Sequence, residues 1–283
     1  MAGRVEAARL AKAAVIEPLL IVELLLLGTV TGFLAGLLGI GGGMIQVPFL
    51  VIVLSQRGVA SDQGLKIAIA TAMATIVFTS LSSVRAHHAR GAVRWELVRG
   101  MAPGVVIGGL VAGAAVFTLI KGSALALVFA LFVGYSATQM LIDRKPRASR
   151  QMPGAVGQAA VGSGIGLLAA LVGAGGAFMS VPFMVWCNVP IHQAVGTSAA
   201  LGFPVALAAT VGYIIGGWSL APPLPGTVGY LYLPALFVVA LASVFAAPWG
   251  ARVAHSMDTR QFRRIFALLL YGVAAYMAWR AAA

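Results

Sequence analysis

Ten apolar runs, separated by short and mostly basic loops, leave this chain one kind of solvent, which is lipid. The runs cover residues 18–40, 44–56, 66–86, 101–119 and 123–142, then 155–173, 178–188, 194–216, 229–250 and 264–280. A membrane-crossing helix needs roughly 20 apolar residues. The second run of each set holds only about a dozen and is too short to cross alone. Charged residues make up 9% of the sequence, against about 25% in a soluble domain, so a water-facing surface cannot be built.

The net charge of +12 would raise nucleic acid as a partner in a soluble protein. Here the basic residues lie in short loops, where topology determinants sit, and no aromatic–basic interleaving accompanies them. Nucleic acid is therefore excluded. Cys187 is the single cysteine, which rules out an internal disulfide and a multi-cysteine metal site. Arg4, Arg9 and Lys12 ahead of an apolar run mimic a secretory leader. The length of that run and the return of its pattern in the second half assign it to the fold.

The two halves are related. Gly39-Ile40-Gly41-Gly42-Gly43-Met44-Ile45-Gln46-Val47-Pro48-Phe49 returns, without gaps, as Gly173-Ala174-Gly175-Gly176-Ala177-Phe178-Met179-Ser180-Val181-Pro182-Phe183. Ala70-Thr71-Ala72-Met73-Ala74 is answered by Gly196-Thr197-Ser198-Ala199-Ala200. Such duplication is a common way to build a transporter. Three loops hold most of the basic residues: Arg85, Arg90, Arg94 and Arg99; Arg144, Lys145, Arg147 and Arg150; Arg252, Arg260, Arg263 and Arg264. Placing all three in the cytoplasm satisfies the positive-inside rule. It requires an odd number of crossings per half, either five or three plus a re-entrant pair.

The expected fold is an all-α polytopic membrane protein. It consists of two inverted repeats of about five membrane segments, each with a Gly-rich broken or re-entrant helix pair. The boundaries are an N-terminal segment 1–17, a first repeat 18–142, a cytoplasmic linker 143–153 and a second repeat 154–283. Both termini fall outside.

Three adjacent glycines, Gly41, Gly42 and Gly43, each weaken a helix by about 1 kcal/mol relative to alanine, so the chain is expected to unwind there. Pro48 and Pro182 favour helix restarts near Val47 and Val181, with Gln46 and Ser180 near the caps. A glycine stretch and a helix N-terminus together offer backbone N–H groups and about half a positive charge to an anion. The competing reading is a purely structural hairpin. Gly28, Gly32 and Gly36, spaced by four, are read as a helix-packing face.

Thr71 and Thr197 occupy equivalent positions and join Ser198 as candidate substrate contacts, although hydroxyls in membrane helices also bond back to their own backbone. Glu23 is the one acid inside an apolar run; it is either a buried functional group or an interfacial one. Arg85, His87 and His88 are candidates for gating or coupling, since histidine titrates near neutrality. Nucleophile motifs, P-loops, dinucleotide fingerprints and metal-ligand clusters are missing. An enzyme, a cofactor, a metal and ATP as energy source are therefore not expected.

The doubled glycine motif, Gly36-Leu37-Leu38-Gly39-Ile40-Gly41-Gly42-Gly43-Met44-Ile45-Gln46-Val47-Pro48 with Gly173 to Pro182, resembles the TauE/SafE family of sulfite and organosulfonate exporters. Ala194-Val195-Gly196-Thr197-Ser198 is similar to the family's Gly-Thr-Ser stretch. So is Thr79-Ser80-Leu81-Ser82-Ser83 followed by His88-Ala89-Arg90-Gly91 and Trp95. The sequence departs from the pattern at Ala70-Thr71-Ala72 and at Ala177, so the halves are expected to contribute unequally.

The resemblance covers nearly the whole chain. It implies a secondary transporter of small sulfur oxyanions or sulfonates in a bacterial cytoplasmic membrane. Gly41, Gly42, Gly43, Gln46, Thr71, Gly175, Gly176, Ser180, Thr197 and Ser198 are the expected substrate contacts. The expected partners are that anion and membrane lipid, with room for a homodimer. A passive anion channel, or an importer of a related oxyanion, is the alternative.

Overall fold

The computed structural model describes residues 18–38, 42–142, 149–254 and 259–282. The first half contains α1 (Pro18–Leu38), α2 (Gly43–Gln56), α3 (Ser61–Ala89), α4 (Trp95–Leu119) and α5 (Gly122–Ile142). The second contains α6 (Ala155–Val172), α7 (Ala177–Trp186), α8 (Ile191–Gly216), α9 (Leu233–Ala254) and α10 (Thr259–Ala282). Between α8 and α9 lies a short hairpin of β1 (Thr227–Val228) and β2 (Leu231–Tyr232). Among the described residues, eight helices are long and apolar enough to cross a membrane; α2 and α7 are the short apolar ones. Large side chains such as Leu119, Leu131, Phe245, Trp249 and Trp279 are exposed. In water such patches favour aggregation; in a bilayer they face lipid. The chain is a multi-pass, all-α membrane protein.

The short helices begin four residues earlier than the prolines suggest, at Gly43 and Ala177 rather than near Val47 and Val181. Their caps are Gly42 and Gly176, and Gln46 and Ser180 stand in the first turn. The Gly42 carbonyl accepts from Ile45 N and Gln46 N, and the Gly176 carbonyl from Met179 N and Ser180 N. A proline one turn further on forfeits only its own bond to the residue four back, so the helix runs through it. The long helices also extend past their apolar runs: α3 starts at Ser61 and α4 at Trp95, because polar first turns are helical too.

Close packing sets the helix directions. A Cβ at Gly28, Gly32 or Gly36 would run into Val239 and Ala242, Ser243, or Ala247 of α9 respectively, so α1 and α9 run parallel. The Ser243 hydroxyl donates to the Gly28 carbonyl at 2.9 Å. The glycine spacing read as a packing face is therefore a packing face. Gly104 and Gly108 of α4 meet Ala159 and Ser163 of α6 in the same parallel sense. By contrast, α3 and α8 are antiparallel, with Gly202 beside Ser80 and Gly196 beside Ala92. So are α5 and α10, with Gly134 beside Ala274 and Thr138 hydrogen-bonded to Tyr271 at 2.7 Å.

Each short helix folds back along its predecessor. Gly42 lies beside Thr31, and Arg57, just past α2, forms an ion pair at 3.7 Å with Glu23 near the start of α1. The amides of Ser149 and Arg150, just before α6, donate to the Trp186 carbonyl at the end of α7. These returns leave α1 and α3 pointing the same way. The described parts of the three Arg-rich loops then share one end of the molecule. The 227–232 hairpin lies at the other.

Candidate functional site

The two Gly-rich turns meet in the interior. A Cβ at Gly43 would overlap the carbonyl oxygen of Gly173, and the Val47 side chain comes within 3.2 Å of a Cβ at Gly173. Ile76, halfway along α3, lies 3.5 Å from the Cβ position of both Gly43 and Gly175. Gly173 and Gly176 have φ of +67° and +76°, the left-handed region that glycine enters without steric cost. Gly42, at φ −76°, has an ordinary backbone. It is held to glycine by space, with Thr31 Cβ 2.8 Å from where its own Cβ would be. The N-termini of α2 and α7 thus stand on either side of Ile76. The first amides of a helix have no intrahelical acceptor, and both N-termini carry partial positive charge.

The hydroxyl and amide groups around this meeting point divide unequally between the halves. Gln46 is buried and donates through Nε2 to Thr75 Oγ1 at 2.9 Å; Thr75 in turn donates to the Thr71 carbonyl at 2.9 Å. That uses one of the two amide protons of Gln46 and leaves the other for a ligand. In the second half, Ser180 Oγ lies 2.6 Å from Ser198 Oγ and 3.0 Å from the Gly176 carbonyl. The single hydroxyl proton of Ser180 is spent on the Gly176 carbonyl or on Ser198. Ser180 therefore offers an anion no free donor.

The remaining expected residues separate. Thr71 and Thr197, both fully buried, accept backbone amides: Tyr232 N at 3.1 Å and Arg94 N at 3.0 Å. Gly41 lies outside the described residues. Glu23 is paired with Arg57 at one end, and its Oε2 makes no hydrogen bond. Arg85, His87 and His88 stand near the Arg-rich end of α3. His87 is eleven residues beyond Ile76, about 16 Å along a helix. His88 Nδ1 accepts from Trp95 Nε1 at 3.2 Å, and Arg85 is exposed. Among the described residues, none of these four touches the Gly-rich turns. Among the described residues no three His, Cys, Asp or Glu are grouped as metal ligands.

Sequence reasoning missed Lys66. It is 6% exposed near the start of α3, with Nζ 3.7 Å from Asp62, 3.4 Å from the Thr118 carbonyl and 6.0 Å from the Tyr230 ring centre. A cation inside a membrane helix is a functional candidate by default, and that rule alone would have flagged it. Asp62 also accepts the Gly122 amide. Burial raises the phenol pKa of Tyr230, and Asp62 raises it further. Burial raises that of Tyr232, with Arg57 opposing. Both phenols therefore stay neutral at physiological pH.

Comparison with known proteins agrees with this architecture. The family model described as "Sulfite exporter TauE/SafE" matches residues 24–277. A probable membrane transporter protein of Haemophilus influenzae is 33% identical over 255 residues, 89% of this chain and 96% of that relative. The probable membrane transporter protein YunE of Bacillus subtilis is 27% identical, over 88% of this chain and 94% of its own. No solved structure matches. With a multi-pass helical bundle, a doubled Gly-rich turn and a family match from the first helix to the last, the chain belongs to the sulfite exporter TauE/SafE family of membrane transporters.

Proposed function

We propose that this protein is a secondary transporter that exports small sulfur-containing anions, sulfite or organosulfonates, across a bacterial cytoplasmic membrane by alternating access. The observation that carries the reading is the meeting of two helix N-termini beside the unspent amide proton of Gln46. A small oxyanion needs several donors and little formal charge, and helix N-termini supply that. The unequal donor sets assign the first half, through Gln46 and the first turn of α2, the larger share of binding. The second half contributes the first-turn amides of α7.

Antiparallel pairing of α3 with α8 and of α5 with α10 supports an inverted repeat. A twofold axis in the membrane plane brings equivalent helices together head to tail, and places a substrate site at mid-depth between the halves. With the Arg-rich end in the cytoplasm, an inside-negative potential drives anions outward by about 2.3 kcal/mol per charge per 100 mV.

The test is flux from proteoliposomes loaded with sulfite, taurine or sulfoacetate. Saturable efflux and counterflow are expected. Absence of flux across the panel sinks the substrate assignment, and ohmic, non-saturating currents replace the carrier with a channel.

A further inference from the structure

We infer that Thr71 and Thr197 are a matched pair of latches, each holding one end of the protein shut against the opposite half. The inference deepens the alternating-access reading and rests on it. The two threonines answer each other in the repeat, at the centre of Ala70-Thr71-Ala72 and Gly196-Thr197-Ser198. Each is fully buried and accepts one backbone amide from far away in sequence. The donors also answer each other. Tyr232 is the residue directly before α9, and Arg94 the residue directly before α4. A first-half threonine therefore holds a second-half loop, and a second-half threonine holds a first-half loop. Exchange of this kind ties the halves together at both ends.

The two bonds close opposite faces. Tyr232 belongs to the 227–232 hairpin, Arg94 to the Arg-rich loop between α3 and α4. Both bonds are made in this structure. A carrier must release one while keeping the other. A buried amide that loses its acceptor needs water in its place, so release of a latch and hydration of that end go together.

Each latch is also wired to the Gly-rich turn of its own half. The Thr71 carbonyl accepts from Thr75, which accepts from Gln46 in the first turn of α2. Ser198, next to Thr197, bonds Ser180 in the first turn of α7. An anion that recruits Gln46 or loosens the serine pair therefore acts on the helix segment that carries a latch.

The test uses valine, which keeps the shape of threonine and removes the acceptor, and serine, which restores it. In a Cys187→Ser, Ile76→Cys background, a membrane-impermeant maleimide is applied to each face in right-side-out and inside-out vesicles. Thr71→Val should raise labelling from the hairpin face about fivefold, the loss of one ordinary hydrogen bond, and leave the Arg-rich face unchanged. Thr197→Val should do the reverse, and both serine variants should match the parent.

Labelling that changes equally from both faces, or not at all, overturns the inference, as do serine variants that behave like valine. If a valine variant does not fold, hydrogen exchange of the Arg94 and Tyr232 loops in the unmodified protein decides. Conditions that protect one should expose the other, and parallel changes overturn the proposal. Face-specific labelling in a protein that moves no sulfite or sulfonate would remove the proposed function and leave the latches standing. Transport without face-specific labelling would do the opposite.

Discussion

Gly43→Ala adds a single methyl group at the point where the halves touch, and its effect can be worked out from the packing. The new Cβ meets the carbonyl oxygen of Gly173, a backbone atom, together with Ile76 Cδ1 at 3.5 Å. Gly173 has little room to retreat: a Cβ there would already lie 3.2 Å from Ile69 O and from Val47 Cγ2. Relieving the overlap requires the two turns to part by more than about 1 Å to reach ordinary van der Waals separation. Overpacking of this kind costs about 1–3 kcal/mol; the clash is with backbone and Gly43 is the first residue of α2, so helix propensity offsets little of it. The expected loss of stability is therefore about 2–3 kcal/mol, which the melting temperature reads directly.

A site whose donors are displaced by that distance should lose at least about 1.4 kcal/mol of anion binding, a tenfold weaker affinity. Gly164→Ala in α6 is the control, because a Cβ there meets nothing within 4 Å; it should be neutral or slightly stabilising. Concentration-dependent efflux from proteoliposomes, with thermal melting in detergent, separates the two effects. Wild-type affinity in Gly43→Ala, or the same behaviour from both variants, would refute the reasoning.

Other expectations follow from the same contacts. Gln46→Leu should weaken anion affinity by about 1–3 kcal/mol, the cost of losing a buried donor, while Ser180→Ala should change it less than about threefold because its proton is already spent; an equal loss in both would reverse the assignment of donors. Gly32→Leu should prevent folding or lower stability by more than about 3 kcal/mol, since a side chain there enters the Ser243 backbone; recovery of folded protein at wild-type yield and melting temperature would contradict the α1–α9 contact. Burial pushes the Cys187 thiol pKa up, with the Arg150 guanidinium opposing. A raised value means less thiolate than in a free cysteine at about pH 7, so maleimide labelling should be slow there and accelerate only in alkali. Labelling as fast as a model thiol would show the burial to be wrong.

Much of the bundle was legible because hydrophobic runs and small-residue spacing are local signals. Each of the ten runs is helical among the described residues, and Gly28, Gly32 and Gly36 do pack against a neighbour. Which neighbour was not readable. The α1–α9 contact and the corresponding α4–α6 contact join segments far apart in sequence, and Gly100 and Gly104 straddle the edge of the apolar run that began at residue 101. The prolines misplaced the starts of α2 and α7 because proline reports the loss of one bond, and a glycine cap further back can still begin the turn.

At the site, the equivalence of Thr71 and Thr197 was visible as a repeat, but the loops that bond them were not, since the donors are backbone amides without a side-chain signature. Gln46 and Ser180 share a repeat position yet differ in free protons, which follows from partners on α3 and α8 rather than from residue type. Lys66 went unnoticed at the edge of an apolar run, where a charge is usually assigned to the interface.

The most direct test of the account is to locate the anion. A brominated sulfonate, diffused into crystals of the purified protein, gives an anomalous signal that marks the bound molecule. The account predicts that signal between the two Gly-rich turns, with a sulfonate oxygen within hydrogen-bond distance of Gln46 Nε2 and of the first-turn amides of α2 or α7. A sulfonate bound elsewhere, with the turns empty at a concentration that saturates transport, would contradict it.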